Sequence, residues 1–589
     1  GAAITAGDEL TARVTDPTDD PQTGSFNLGW HLDAADGDVS VTGGATSDAL
    51  ATAREGAATP LGEAVTSATL LPYQVFTVDV PADAGDDYRA RITWDGEIND
   101  GQRVSMSVLT TDGTWHRVAE TIADAPGVTL EALVRAEGHA VDGEMTVLVQ
   151  HTDGWAQGNL SDRDSALPPF HPEAEPRGGY DFTVAHISDT QYYNSNPDWH
   201  HHQLGISEFL VEQAEHLNLQ YVHHTGDIVD NNRIPGQMER ADAAYRLLDD
   251  AGIPYGVLAG NHDVSGWDVD YSDYSEFFGD ARFAGTPWFA ASHLDNRGHV
   301  DLVSAGGIDF LYLYMGWGAE DEQIAWMNDV LAQYPERIAV INLHEYMLTT
   351  GGLGLLPQRM FDEVIAHNPN VRMVQSGHYH DAYTRIDTFD DDRDGTDERT
   401  VYSMLFDYQG LPEGGQGYIR LHHFDNEGER MMVRTYSPSL EDFDADDATL
   451  EPEHQSFEIA YADLGIEPKV KSLVTHGFTV DVLSERSLGA FDDVASGSVV
   501  TADWPEDLLG AHGFYVVTRD AYGGEAISEI RSITVVEGEP GEEPTEPGEE
   551  PTGPGEEPSD PGEEPTEPGA GDDGTDDDRP RPGLPPTGV

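Results

Sequence analysis

The stretch "VAHISDTQYYN", residues 184–194, decides the fold. An apolar run stops abruptly at Ser188-Asp189, and an amide, Gln191, and two tyrosines follow. Four other stretches are built the same way. "LQYVHHTG" leads into Asp227 of "TGDIVDNN", "IPYGVLAG" into Asn261 of "AGNHD", "RIAVINLH" ends on His344, and "VRMVQSGH" ends on His378 with His380 just beyond. Between these runs lie segments of helical periodicity: "QLGISEFLVEQAEHL", "QMERADAAYRLLDDAG", "EDEQIAWMNDVLAQY" and "PQRMFDEVIAHN". Alternating strands and helices predict a largely parallel sheet covered by helices. The carboxyl ends of parallel strands share one edge, where ligands bind. Seven oxygen and nitrogen donors from five strand ends therefore converge: Asp189, Gln191, Asp227, Asn261, His344, His378 and His380. "VYSMLFDYQG", "GYIRLHHFD" and "RMMVRTYSP" add later strands, expected to be antiparallel.

Outward from this core, residues 1–175 read as an all-β sandwich. "YQVFTVDV", "YRARITWDG" and "EMTVLVQHTDG" alternate apolar and polar residues between Asp-Gly turns. Residues 466–536 read as a second, small Ig-like β module. Trp94 and Trp115 suggest either a carbohydrate platform or core packing, with core packing favoured. From Pro540 a unit of seven residues repeats, "PGEEPTE" and its variants. Proline, glycine and repelling glutamates exclude helix and leave a solvated, disordered spacer over 537–589. The expected fold class is thus multidomain, with an α/β domain at 176–465, flanking all-β sandwich modules and a disordered tail.

The chain has 589 residues, with 30 Lys+Arg against 110 Asp+Glu, a formal net charge of −80. Only Lys469 and Lys471 are lysines. Such a surface repels duplex nucleic acid and anionic membranes. With no cysteine there is neither a disulfide framework nor a thiolate metal site. No run of about 18 apolar residues occurs, so no membrane-spanning helix is expected.

The five motifs in their order resemble the calcineurin-like metallophosphoesterase superfamily, D-x-[HQ], G-D-x-x-D, G-N-H-[DE], H and G-H-x-H. "LFDYQG", "GGQGY" and "TYSP" add resemblance to a secreted bacterial branch of it. The resemblance implies a two-sheet α/β sandwich and two divalent or trivalent metal ions, Mn, Fe or Zn. It implies one ion held by Asp189, Gln191, Asp227 and His380. The other would be held by Asp227, Asn261, His344 and His378, with Asp227 shared. A hydroxide between them would attack a phosphate mono- or diester. His262 is the implied general acid, Asp263 a candidate to orient it, and Arg233 a candidate phosphate binder beside Asn261. Gln191 departs from the histidine common in the superfamily. Asp230 stands where purple acid phosphatases carry a tyrosine ligand, which argues against that branch.

Leu584-Pro585-Pro586-Thr587-Gly588 matches the LPxTG signal that sortases cleave. It implies sortase and peptidoglycan as partners and covalent attachment to the cell wall of a Gram-positive bacterium, outside the cell. The expected apolar stretch and basic end do not follow it, so the sequence reads as cropped. Two rival readings are an adhesin with a decayed catalytic domain and a secreted 5′-nucleotidase. Elsewhere, His200, His201 and His202 read as a solvated run, and one of His223 and His224 as a support behind the ligands. Asp390, Asp392 and Asp394 in "DDDRDGTDE" begin a candidate calcium loop, although Val401 stands where such loops carry glutamate.

Overall fold

The computed structural model describes residues 2–537, apart from 17–19, 53–55, 266 and 268. The repeat region and the 584–588 signal lie outside the described residues.

Residues Phe182–Ile187 are buried along their whole length, as a central strand covered on both faces must be. Phe182 and Val184 face one apolar cluster, Ala185 and Ile187 another. This strand pairs in parallel with Leu219–His224, which pairs in parallel with Tyr255–Val257. On its other side Ile419–Asp425 and then Arg430–Ser437 run antiparallel. A second sheet has the order Phe289–His293, Gly298–Ala305, Ile308–Met315, Ile338–Leu343, Val371–Ser376, Arg399–Asp407 and Asp381–Phe389. Phe182, Val184 and Tyr221 of the first sheet share a core with Phe310, Tyr312, Val340 and Met404 of the second. The two sheets therefore pack face to face.

Helices cover the outer faces. His200–Glu212 and Gln237–Ala251 place Ile206, Leu210, Met238 and Tyr245 on the first sheet. Asp321–Gln333 places Ile324, Met327 and Leu331 on the second. Each of these side chains, fully buried, contributes about 1.5–3 kcal/mol.

Three expectations change. The five ligand-bearing strands do not share one sheet: three lie in the first and two in the second. Arg399–Asp407 is parallel to Val371–Ser376, not antiparallel. The hairpin Gly298–Ala305/Ile308–Met315, unforeseen from the sequence, is buried at every position.

The terminal β regions also differ from expectation. The long strand Lys471–Val494 fits between Gln22–Asp33 and Tyr88–Ile98, antiparallel to both. Gly510–Arg519 pairs with Gln22–Asp33, and Arg531–Val536 with Ala2–Thr5. Residues 466–536 thus build no Ig-like module of their own but complete the N-terminal sandwich, whose second sheet includes Leu71–Asp79, Arg103–Leu109 and Glu144–His151. The physical reason is edge pairing. Gln22–Asp33 and Tyr88–Ile98 would each expose unpaired backbone without the returning strand. The α/β unit is therefore an insertion between two parts of one sandwich. Trp94 is fully buried there, its Nε1 donating to Thr475 Oγ1 at 2.7 Å, and Trp115 Nε1 donates to Leu50 O at 2.9 Å. Both tryptophans serve packing.

Candidate metal centre

Each ligand-type residue sits just past a strand end, and the backbone there is unusual. Asp189 (φ 52°), Asp227 (φ 52°) and His378 (φ 75°) all have left-handed backbone, which L-residues adopt at a cost and which clusters at functional sites. The glycine beside each motif residue is required by space. A Cβ on Gly260 would lie 2.1 Å from Asp227 Oδ1, and one on Gly377 would lie 1.9 Å from Asp189 Oδ2. A Cβ on Gly226 would lie 2.8 Å from His344 Nδ1.

Asp227 is the hub. Its Oδ2 accepts from Gln191 Nε2 at 3.1 Å and lies 3.2 Å from His344 Nε2. Its Oδ1 accepts from the His262 N–H at 2.9 Å. His344 Nε2 lies 3.1 Å from both Asn261 Oδ1 and His378 Nδ1, while its Nδ1 donates to Thr225 O at 2.9 Å. Among the described residues, one atom each of Asp227, His344 and His378 lie within 4.8 Å of one another, a group that could hold a metal ion. Asp189 accepts from the His378 N–H at 3.2 Å. Trp317 packs its ring on His344 and His378, at centroid distances of 6.0 and 5.4 Å.

The electrostatics are those of crowded carboxylates. Burial, and then Asp407, push Asp189 well above the usual carboxylate range. Burial opposes the Asp227 charge too, but His344 and His262 outweigh it and hold that carboxyl below its usual value. Burial likewise opposes a charged His344, yet Asp227 and Asp189 raise it to about 10. His378 is lowered to about 4 by burial and by His344.

The residues fit a metal centre. Gln191 Oε1 is buried and has no hydrogen-bond partner, while its Nε2 is spent on Asp227. A buried, unpaired amide oxygen costs about 1–3 kcal/mol, unless a cation takes it up. The set of carboxylate, amide and imidazole donors suits Mn, Fe or Zn.

Several expectations need adjustment. His380 is exposed at the rim beside Gly410 and Asp407 and stands outside the close cluster. Asp263 does not orient His262. It is fully buried and accepts from the N–H groups of Ile228, Val229 and Gly260 at 2.8–3.1 Å. Burial and then Asp227 raise it to about 7. It is Asp230 that orients His262: its carbonyl lies 2.6 Å from His262 Nδ1, with the carboxylate at 3.6 Å. Arg233 is exposed on the loop beyond Asp230, and its N–H donates to Asn231 Oδ1 at 3.0 Å. His224 does support the ligands, accepting from the Gly226 N–H at 3.1 Å, and His223 Nδ1 pairs with Asn342 Oδ1 at 2.9 Å. His202 is buried, contrary to the expected solvated run.

Two further participants went unread in the sequence. Asp407 is buried and raised to about 6 by that burial. Gln409 Nε2 donates to Asp407 Oδ2 at 3.0 Å and to Asp189 Oδ1 at 3.4 Å. "FDYQ" repeats the D-x-Q spacing of "SDTQ" at another strand end, and that spacing is the signal that finds them.

In the acidic hairpin Asp390, Asp392 and Asp394 do converge, joined by Glu398. Backbone N–H groups of Asp394 and Gly395 already satisfy Asp390, and Val401 is buried in a strand. An acidic turn accounts for the geometry.

Residues 182–382 match the family model of the calcineurin-like phosphoesterases. The chain therefore carries a phosphoesterase domain, of a family whose centre is dinuclear. The uncharacterised protein YvnB of Bacillus subtilis is 37% identical over 465 residues, which cover 78% of this chain and 34% of YvnB. The chain thus spans about a third of the length of that relative. A purple acid phosphatase from yellow lupin (Lupinus luteus) seeds is similar at 12% identity and a TM-score of 0.32, covering 67% of this chain and 73% of the plant chain. A putative 5′-nucleotidase of Staphylococcus aureus is similar at 12% identity and a TM-score of 0.26, covering 46% and 56%.

Proposed function

We propose that this chain hydrolyses phosphate mono- or diesters at a two-metal centre outside the cell. The observation that carries the reading is the buried, unpartnered Gln191 Oε1 beside an Asp227 that His344 and Asn261 also approach. Asp189, Gln191, Asp227 and His380 would hold one ion, and Asp227, Asn261, His344 and His378 the other. Bound there, the ions would supply a nucleophile at neutral pH and neutralise charge on the phosphoryl oxygens.

The protein's own groups do the rest. The Nδ1–H of His344 donates to Thr225 O, so Nε2 is the nitrogen that faces Asp227 and Asn261, and a bound ion would replace the proton there. His262 is the group able to move a proton. Its Nδ1–H donates to Asp230 O, the Asp230 carboxylate lies 3.6 Å from the same nitrogen, and the side chain is partly exposed. Its Nε2, 4.0 Å from Asp227 Oδ2, then delivers a proton to the leaving oxygen. Trp317 covers His344 and His378 and limits water beside them.

The test is a substrate panel, led by a chromogenic bis-aryl phosphodiester and its monoester, on purified protein reconstituted with Mn²⁺. Turnover that requires added metal supports the reading. A metal-loaded protein that cleaves no phosphoester contradicts it and favours the binding-protein alternative.

We also propose attachment to a Gram-positive cell wall through 584–588, with sortase and peptidoglycan as partners. What supports this is the LPPTG sequence following the Pro/Glu repeat. Replacing the motif in the full-length gene should release the protein into the medium. Unchanged wall attachment would rule the motif out.

A further inference from the structure

Residues Glu413, Gly414, Gly415, Gln416 and Gly417 all have left-handed backbone, at φ 55°, 78°, 117°, 55° and 74°. Glycine adopts this freely, but Glu413 and Gln416 do so against Cβ–carbonyl repulsion. Such a run persists only where its surroundings hold it. Gly417 N–H donates to Tyr193 Oη at 2.8 Å, and a Cβ on Gly414 would lie 2.6 Å from Tyr192 Cβ. The third tie is Glu413 itself, whose Oε2 lies 2.9 Å from His202 Nε2 on helix His200–Glu212.

The rings of His201 and His202 lie 4.1 Å apart between centroids, tilted by 36°. One ring nitrogen of each histidine and one Glu413 oxygen lie within 4.8 Å of one another. Both imidazoles are anchored through Nδ1. His201 Nδ1 lies 2.9 Å from Asp198 O, and His202 Nδ1 lies 2.8 Å from Ser439 Oγ. The Asp198 carbonyl can only accept, so His201 carries its proton on Nδ1 and keeps Nε2 as the donor atom, while His202 Nε2–H donates to Glu413, a proton that a cation between the two would replace. Burial lowers the His202 pKa below its ordinary value, so the ring is a neutral donor at pH 7.

We propose that His201, His202 and Glu413 form a third metal site, for a borderline divalent cation such as Zn²⁺, which clasps residues 412–417 onto the first turn of helix His200–Glu212. Two imidazoles and one carboxylate, with water completing the sphere, suit Zn²⁺, Ni²⁺ or Cu²⁺ better than Ca²⁺ or Mg²⁺. The carboxylate also offsets the positive end of the helix dipole. The clasped segment follows directly on Asp407 and Gln409, which touch the Asp189 region, so the ion would steady one wall of the catalytic centre from outside it.

The site is tested by zinc counting on the full chain. Protein is stripped with chelator, reloaded with excess ZnCl₂, gel-filtered and analysed by inductively coupled plasma mass spectrometry. Wild type should retain one more zinc per chain than His201→Ala and one more than Glu413→Gln. His201 is exposed and lies outside the buried core, so its replacement spares the core. Equal zinc in all three proteins would overturn the site. A second readout uses cleavage after Glu413 by a glutamate-specific serine protease, a bond that His201→Ala keeps. Zinc should slow this cut several-fold in wild type and leave it unchanged in His201→Ala. Equal protection in both, or none in either, would overturn the clasp.

Discussion

At the seam between the sandwich and the inserted α/β unit, Lys471 Nζ lies 2.6 Å from Asp309 Oδ1, and both side chains are buried. Nearby, Arg103 pairs with Glu336 at 2.8 Å, and the Arg337 guanidinium donates to Asp153 O and Phe310 O. Every buried charge in this seam has an opposite charge or a row of dipoles against it. At the ligand edge the chain buries carboxylates just as deeply, yet among the described residues no arginine or lysine pairs with Asp189, Asp227 or Asp407. Their partners are hydroxyl, amide and imidazole groups. Burying an unpaired charge costs several kcal/mol, roughly, and is tolerated only where something else supplies compensation. The seam is balanced by the chain itself and reads as structure. The ligand edge balances itself only by charging His344 against Asp227 and pushing Asp189 and Asp407 toward the neutral form, protons that bound cations would replace, and it reads as a site.

Breaking the hub of the ligand edge should have the largest effect. Asp227→Asn removes the one carboxylate that both proposed ion sites share. Activity should fall by more than about 100-fold, beyond what the loss of an outer support to a ligand costs. Metal content after gel filtration should fall with it. Two ions per chain with full turnover would sink the assignment.

Breaking the seam comes next. Lys471→Ala leaves Asp309 buried without its ion-pair partner, and should cost about 3–5 kcal/mol of stability with no direct effect on the ligands. The double variant Lys471→Met with Asp309→Leu should recover most of this, since an apolar pair of similar volume is often neutral. Denaturant unfolding of the three proteins decides. The sign with pH follows from Asp309. Burial would raise its pKa, but Lys471 and Arg337 outweigh burial and bring it to about 2. A depressed carboxylate contributes its stability above its ordinary value of 3.8 and loses it as pH falls through about 2. The wild type should therefore lose stability across that acid window, and the double variant should lose less.

The comparison also explains what the sequence could reveal. Asp189, Asp227, Asn261, His344 and His378 are legible because each closes an apolar run, and five such closures in one chain are hard to explain by packing. Asp407 closes an apolar run as well, but its proximity to Asp189 depends on Arg399–Asp407 pairing directly with Val371–Ser376 although Asp381–Phe389 comes between them in sequence. That pairing is a long-range choice that local periodicity does not specify. The same limit hid the shared sandwich. "HGFTVDVLS" announces a strand, but its partners lie some 390 and 450 residues away, at Arg91 and His31. The role of Asp263 was hidden differently. Its neighbour in sequence is His262, but its hydrogen bonds go to the turn at 228 and 229.

A smaller effect should come from His262. His262→Ala should lower turnover by about 100-fold or more for an alkyl phosphoester and far less for a nitrophenyl ester. A proton donor matters most when the leaving oxygen is basic. Asp230→Asn keeps the main-chain carbonyl that holds Nδ1 and should cost less than the alanine change. Equal losses across a leaving-group series would remove His262 from this role.

The smallest and sharpest test concerns Gln191, the amide that follows the first strand. If its orphaned Oε1 takes up a cation, the first ion has one imidazole, His380, and that residue stands exposed at the rim. This ion should therefore be the more easily lost of the two. Gln191→Leu removes the oxygen and also the hydrogen bond to Asp227, so graded chelation should strip one ion several-fold more readily. The ion near Asn261, His344 and His378 should stay. Gln191→His supplies a stronger donor for Mn²⁺, Fe²⁺ or Zn²⁺ and should shift the same curve toward tighter retention. The sign of the histidine change separates the two roles of Gln191. A residue that only positions Asp227 through Nε2 would be harmed by leucine and at best replaced by a histidine N–H, with no gain in metal retention. A ligand would be harmed by leucine and helped by histidine. If all three proteins lose metal along one curve, Gln191 is neither, and the buried oxygen that sets the ligand edge apart from the seam has some other partner.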